Sequence, residues 1–143
     1  MSLKDDDRML LVKMQMEKSR SDMHTAEVLV GENMYAVAAG RLYYAVFHAV
    51  CALLIHDNIR IKSHKGAYTM FCLNYVNTGR LPRMYGKWYK DLENMREESD
   101  YNCFYDVSLE DVQSWISPAK EMIETIAEMI KDEKQKKQNQ INS

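Results

Sequence analysis

The segment from Met34 to about His56 constrains the fold more than any other part of the 143-residue chain, because its apolar side chains point in every direction of an α-helix. A helix that is apolar all round belongs at the centre of a helical bundle. Arg41 and His48 interrupt this segment, in the stretch RLYYAVFH. Because seven residues make two helical turns, both side chains lie on one stripe, with Tyr44 between them.

Four further segments show the spacing of amphipathic helices, and the chain has few helix breakers, with 5 glycines and 2 prolines. The predicted helices cover residues 3–30, 34–56, 63–75 and 82–99, and a last one begins near residue 108. We therefore expect an all-α, up-and-down bundle of about five helices over residues 1–132. A polar tail at 133–143 has no apolar face and is expected to be disordered.

Residues with known positional preferences mark several helix boundaries. Asn33, Ser63 and Ser108 are predicted N-caps. Asp111 follows Ser108 by three residues, which is typical of a capping box with Asp in place of Glu. Gly79 is predicted to stop the third helix.

Composition excludes several classes of protein. The formal net charge of −2 excludes a generally basic nucleic-acid binder, so any contact with nucleic acid must come from a local patch. Three widely spaced cysteines, Cys51, Cys72 and Cys103, indicate reduced thiols rather than a disulfide framework. The N-terminal segment has no apolar core of a signal peptide, and the longest apolar run, YAVFHAVCALLI, is too short to span a bilayer. We expect a cytoplasmic protein that does not bind membranes.

Arg41 and His48 are the first candidates for chemistry. If their face of the helix is buried, the guanidinium keeps its charge and needs a carboxylate or carbonyl partner. The structural interpretation is a core arginine neutralised by an acid such as Asp100, with His48 as a hydrogen-bonded core histidine. The functional interpretation makes the pair part of a site.

The segment MREESDYN provides the second candidate. Arg96 and Asp100 are four residues apart on a predicted helix and can pair, and Tyr101 follows at once. An arginine beside a tyrosine hydroxyl is suited to holding a phosphate. The alternative is an ordinary surface ion pair of little energetic consequence.

The third candidate is a basic stripe on the predicted fourth helix, whose members step by three or four residues. They are Arg80, Arg83, Lys87 and Lys90. Tyr85, Trp88 and Tyr89 are interleaved with them, and the segment RIKSHK lies upstream. Such a stripe is suited to following a phosphate backbone, with rings for base stacking. The alternative is a solvated helix face.

No metal or cofactor site is expected. The four histidines lack the spacing of metal ligands, and the chain contains no glycine-rich phosphate loop, H-E-x-x-H, C-x-x-C or G-x-S-x-G motif. The paired carboxylate-and-histidine motifs of a di-iron bundle are also absent from the sequence.

The chain contains three motifs in this order: AAGRLYYAVFHAVCALL, SHKGAYTMF and REESDY. Together they resemble the HEPN family (higher eukaryotes and prokaryotes nucleotide-binding). The similarity is to its small stand-alone members, which are often found beside a minimal nucleotidyltransferase, and covers nearly all of residues 5–132. It implies an up-and-down helical bundle that dimerises through its helices. The most specific residues are Arg41, Tyr43, Tyr44, Ala45, His48, His64, Arg96, Asp100 and Tyr101.

The resemblance implies two kinds of function. Many HEPN proteins look like metal-independent endoribonucleases that act as toxins or defence effectors, with an Arg–His motif from each chain of a dimer. Others bind a nucleotide or substrate for a nucleotidyltransferase, which in some pairs adds AMP to a tyrosine near that motif. Here Arg96 is followed by Asp100 and Tyr101, and no histidine lies after them, so the Arg–His motif is missing from its expected position.

The leading hypothesis is therefore a nucleotide- or RNA-binding homodimer that acts with a nucleotidyltransferase partner in a toxin–antitoxin or defence system. Its predicted binding residues are Tyr44, His64, Arg80, Arg83, Lys87, Lys90, Arg96 and Tyr101. One alternative is a metal-independent endoribonuclease toxin with a composite site at the homodimer interface. Its candidate catalytic residues are Arg41, His48, Arg96 and Asp100. The other alternative is a non-catalytic helical assembly protein.

Overall fold

Five α-helices and no strand make up the part of the chain that the computed structural model describes, residues 4–141 without the side chains of 133–139 and 141. The helices are α1 (Asp5–Gly31), α2 (Tyr35–His56), α3 (His64–Phe71), α4 (Met84–Tyr101) and α5 (Leu109–Ile141). A π-helical segment, Cys72–Val76, continues α3. The predicted all-α bundle is confirmed, and the predicted helix start at residue 3 lies outside the described residues.

Helix α2 lies at the centre of the bundle, as its all-round apolar pattern predicts. It packs against α1, α5, α4 and α3, and it is buried on several sides, as at Leu42, Ala52 and Leu54. By length and composition alone the whole 22-residue helix could cross a membrane, although the apolar run within it is shorter than a bilayer span. Most of its apolar surface is buried inside the fold, as in a core helix.

Helix α1 packs closely along α2. The buried Ser19 hydroxyl donates a hydrogen bond to the carbonyl oxygen of Ala45 at 2.6 Å, and the small Ala45 side chain allows this approach. Between the two helices Asn33 has a φ of 61°, a left-handed conformation that asparagine tolerates better than most residues. Asn33 is therefore not the predicted N-cap, because Met34 occupies that position.

The other predicted boundary residues act as expected. The Ser63 hydroxyl oxygen accepts a hydrogen bond from the Gly66 amide at 2.9 Å, which caps α3. Ser108 and Asp111 form a reciprocal capping box, with each side chain accepting from the other residue's amide at 3.1 and 3.3 Å. Gly79 has a φ of 80°, so the chain turns there as glycine permits.

The last helix extends into residues 133–143, the segment predicted to be a disordered tail. The backbone of α5 remains helical through Ile141, while residues 142 and 143 lie outside the described residues. After Pro118 the sequence contains no further glycine or proline, and lysine, glutamate and glutamine are good helix formers. Helix propensity therefore accounts for the helical backbone of this segment, which has no apolar face to pack against the bundle.

Candidate functional site

Three separate segments of the chain meet on one face of the bundle. Helix α2 contributes a partly exposed stripe, α3 contributes its first residue, and α4 contributes its last turn. The side chains that contact one another there are Tyr43, Tyr44, Phe47, His64, Arg96 and Tyr101. We refer to these six residues as the Arg96 cluster.

Arg96 is surrounded by tyrosine rings. Its Cζ atom lies 5.4 Å from the ring centroid of Tyr44, 5.7 Å from that of Tyr43 and 5.9 Å from that of Tyr101. These separations are within the range of cation–π attraction. Tyr43 is buried, whereas Tyr101 is 77% exposed, so the rings form a surface that is closed at its base and open at its rim.

The nearest carboxylate leaves part of the Arg96 guanidinium unsatisfied. Nε of Arg96 lies 3.1 Å from Oδ2 of Asp100, which is the predicted pair four residues apart. The alignment is not that of a hydrogen bond, and this Nε is buried without a hydrogen-bond partner among the described residues. A buried donor without an acceptor is costly. Arg96 therefore has unused capacity to donate to an oxyanion.

His64 is held beside the same tyrosines. Its Nδ1 lies 3.1 Å from the Tyr43 hydroxyl, and its ring stacks on Phe47 with a centroid separation of 4.3 Å. Burial raises the pKa of Tyr43, so this hydroxyl keeps its proton at physiological pH. His64 itself is exposed, although it is oriented by two fixed neighbours. The fold thus brings His64 and Arg96, which are far apart in the sequence, to the same two tyrosines, Tyr43 and Tyr44.

Arg41 and His48 share a carboxylate that the sequence interpretation did not identify. Nη1 of Arg41 lies 3.2 Å from Oδ1 of Asp22 on α1, and Nε2 of His48 lies 3.6 Å from Oδ2 of the same residue. Nδ1 of His48 is 2.8 Å from Oε1 of Gln15. Burial is the main cause that lowers the pKa of His48, and Asp22 opposes it only in part. The interpretation in which Asp100 neutralises Arg41 is wrong, because Asp100 pairs with Arg96.

Arg41 is also less buried than a core arginine. Its side chain is 40% exposed, and its Cζ lies 5.1 Å from the Tyr44 ring centroid. The Arg41 and Arg96 guanidinium groups therefore both contact Tyr44. We refer to Asp22, Arg41, His48 and Gln15 as the Asp22 network, which borders the Arg96 cluster.

The basic stripe of α4 is divided among local partners. Lys87 pairs with Asp91 at 2.8 Å, and Lys90 pairs with Glu93 at 2.9 Å. Arg83 is exposed at the start of α4. Neither of these two pairs brings the stripe to the Arg96 cluster.

Two of the interleaved aromatic residues cannot stack on a nucleic-acid base. Tyr85 and Tyr89 are 2% and 0% exposed, because they are core residues of α4. Trp88 is only partly buried. Arg80 lies 3.8 Å from Asp57 and 4.9 Å from the Tyr75 ring centroid, beside the C-terminal end of α2 and away from the Arg96 cluster at its middle. The interpretation of these tyrosines as stacking rings is wrong.

Several residues of this face were missed by sequence reasoning. Asp22 and Gln15 lie on the polar side of α1, where they resemble ordinary surface residues. Phe47 was not singled out, and Tyr43 was named only for the family resemblance. Tyr43 is a core residue whose hydroxyl reaches His64. Within the described residues no group of His, Cys, Asp or Glu side chains has a geometry suited to a metal ion.

Known proteins match most of this chain. The HEPN domain family matches residues 12–130, a range that includes the whole Arg96 cluster. A protein of Methanocaldococcus jannaschii named "Putative toxin MJ0605" is 31% identical over 116 residues, which is 81% of this chain and 86% of that protein. A "UPF0332 protein" of Thermotoga maritima is 29% identical over 115 residues, 80% of this chain and 87% of that protein. A second protein of M. jannaschii, "Putative toxin MJ0142", is 28% identical over 97 residues, 68% of this chain and 66% of that protein.

Proposed function

The chain belongs to the HEPN domain family, and on that premise we propose that it is a toxin-type protein that binds a nucleotide or RNA through the Arg96 cluster. The observation that carries this proposal is the unsatisfied Nε of Arg96 among three tyrosine rings. In this assignment Arg96 holds a phosphate, and the exposed Tyr101 ring stacks on a base. Tyr44 and His64 complete the surface.

The toxin assignment and the partner rest on similarity. Two relatives have the word toxin in their names, and the motif order resembles HEPN proteins that accompany a nucleotidyltransferase. We propose that the chain forms a homodimer and acts with a nucleotidyltransferase partner. Tyr101, the most exposed tyrosine of the Arg96 cluster, is the natural acceptor if the partner transfers AMP. The free thiols of Cys51, Cys72 and Cys103 fit a reducing cytoplasm.

Titration of the protein with ATP and with a short unpaired RNA, at low and at high salt, tests the binding function. Arg96→Ala should weaken the affinity at least about tenfold, because a charge-assisted hydrogen bond to phosphate is lost. Arg20→Ala is the matched control, because Arg20 is an exposed arginine that pairs with Glu124 away from the cluster. Absence of binding, or equal affinities for the wild type and Arg96→Ala, would refute the proposal.

A metal-independent endoribonuclease is the second candidate, and the position of His64 favours it. Cleavage of RNA without a metal needs a base for the 2′-hydroxyl proton and a cation for the phosphorane. His64 and Arg96 contact the same two tyrosines, Tyr43 and Tyr44. As the base, His64 would use Nε2, with Nδ1–H donating to the Tyr43 oxygen. His48 is less suitable, since both of its ring nitrogens face α1.

Incubation of metal-free protein with single-stranded and structured RNA separates the two candidates. A nuclease should lose its activity in His64→Gln and in Arg96→Ala, whereas His48→Gln should retain it. A pure binding protein leaves the RNA intact in every variant. Cleavage that persists in both His64→Gln and Arg96→Ala would exclude this site as its source.

A further inference from the structure

A second polar hollow lies at the C-terminal end of α2, away from the Arg96 cluster at the middle of that helix. Its volume is about 550 Å³, and α1, the end of α2, the π-helical segment and the loop before α4 surround it. It is lined by Arg8, His56, Asp57, Asn58, Ile59, Asn74 and Arg80. Twelve residues of α2 separate Tyr44 from His56, a distance of roughly 18 Å along the helix. We refer to this hollow as the Arg8 pocket.

Arg8 is the residue that makes this pocket unusual. Its side chain is 15% exposed, and its Nε is buried without a hydrogen-bond partner among the described residues. Among the described residues it forms an ion pair from Nη2 to Asp5 at 3.1 Å, and the Asp5 side chain is 86% exposed at the rim. A water-exposed pair of this kind is weak. Arg8 therefore lines the hollow with a guanidinium that its described partners pair only weakly.

The carboxylate in the pocket lining, that of Asp57, already has hydrogen-bond partners. Oδ1 of Asp57 lies 2.9 Å from Nδ1 of His56, and Oδ2 accepts a hydrogen bond from the Tyr75 hydroxyl. Burial acts to raise the pKa of Asp57, but the hydrogen bonds from His56 and Tyr75 and the charge of Arg80 outweigh it, so the carboxyl group stays ionised. Arg8 and Arg80 thus bring two positive charges to the pocket, together with the carboxylates of Asp57 in its lining and Asp5 at its rim.

An exposed amide side chain also lines the pocket. Asn58 has a φ of 61°, a left-handed conformation that asparagine tolerates better than most residues. The Asn58 amide is a donor suited to an oxyanion, whereas the Asn74 amide already donates to the carbonyl oxygen of Met70 at 2.8 Å.

We propose that the Arg8 pocket binds the phosphate group of a small anionic molecule, with the Arg8 guanidinium as its main contact. Arg80 supplies the second positive charge, and the side-chain amide of Asn58 adds a hydrogen-bond donor. The volume exceeds that of a phosphate ion, so the pocket accommodates an organic phosphate. This site is separate from the Arg96 cluster, and its test does not depend on the function proposed there.

Correlation spectra of the arginine Nε–H groups, recorded by NMR on the full chain, provide the test. Inorganic phosphate is titrated against sodium chloride at matched ionic strength, with acetate as a third arm. The Arg8 signal, assigned by its loss in Arg8→Lys, should shift saturably with phosphate. The Arg20 signal should stay in place. A response to acetate without one to phosphate would contradict the phosphate assignment.

A matched pair of asparagine variants tests the pocket without removing Arg8. Asn58 and Asn33 both have a φ of 61°, both are exposed, and they lie at opposite ends of α2. Aspartate also tolerates this conformation, so each variant should fold. Asn58→Asp should weaken the phosphate affinity about fivefold by placing a negative charge in the lining, and Asn33→Asp should not change it. An Arg8 signal that does not respond to phosphate, or equal affinities for the two variants, would overturn the proposal.

Discussion

Arg41 and Arg96 contact the same tyrosine from two sides, yet their surroundings differ. Their Cζ atoms lie 5.1 and 5.4 Å from the Tyr44 ring centroid. Arg41 pairs with Asp22, a largely buried carboxylate fixed on the neighbouring helix α1, whereas Arg96 has only the more exposed Asp100 of its own helix. Arg41 is the more exposed of the two arginines but the better satisfied. Unsatisfied hydrogen-bonding capacity, rather than exposure, therefore distinguishes a candidate ligand contact from a structural ion pair.

Loss of the Asp22 charge should have the largest effect on stability. Asp22→Asn leaves Arg41 and the partly buried His48 without their shared carboxylate, so the free energy of unfolding should fall by about 1–2 kcal/mol. Urea denaturation measures this change. Asp100→Asn is the matched control, and it should cost less than about 0.5 kcal/mol because its pair is exposed and lies within one helix. Equal losses in the two variants would remove the distinction between the two arginines.

Loss of the Tyr101 ring should reduce binding without affecting the fold. Tyr101 is 77% exposed, so Tyr101→Ala should leave the unfolding midpoint nearly unchanged. Removal of one stacking ring should cost about 1 kcal/mol of binding, a roughly fivefold loss of RNA affinity in a fluorescence titration. Tyr101→Phe retains the ring and should bind RNA as the wild type does. An unchanged affinity in Tyr101→Ala would show that the ring takes no part.

The smallest expected effect is a pH dependence of stability in the Asp22 network. Burial lowers the pKa of His48, so the unfolded chain, with a histidine pKa of about 6.5, binds protons more readily than the folded one. The stability that the neutral His48 contributes is present above about pH 6.5 and is lost as the pH falls through the folded-state pKa. In His48→Gln this contribution is absent, so urea denaturation between about pH 7 and pH 5 should show a flatter profile. Parallel profiles for the two proteins would contradict the assignment.

Sequence periodicity was sufficient to predict the helices and the central position of α2. The caps at Ser63 and Ser108 and the turn at Gly79 also followed from local preferences. The route of the backbone at Asn33 did not, because asparagine is favoured both as an N-cap and in the left-handed conformation. Only the tertiary course of α1 into α2 decides between them.

The candidate site was predictable only in part. Arg96, Tyr101, Tyr44 and His64 were selected from their motifs, and the structure brings these segments together. The partner of Arg41 was not predictable, because Asp22 lies on another helix and several acidic residues were available. Burial of Tyr85 and Tyr89 was likewise missed, since a helix that is both basic and aromatic shows the same spacing whether its rings face the core or the solvent.

The central claim is that Arg96, rather than Arg41, holds the phosphate of the ligand. The most direct measurement is a parallel titration of Arg96→Lys and Arg41→Lys with the same short RNA. Both variants keep the positive charge, so any difference reports the planar donor group and its position among the tyrosine rings. The account predicts an affinity about tenfold weaker for Arg96→Lys and within about twofold of the wild type for Arg41→Lys. Equal affinities, or a greater loss at Arg41, would contradict it.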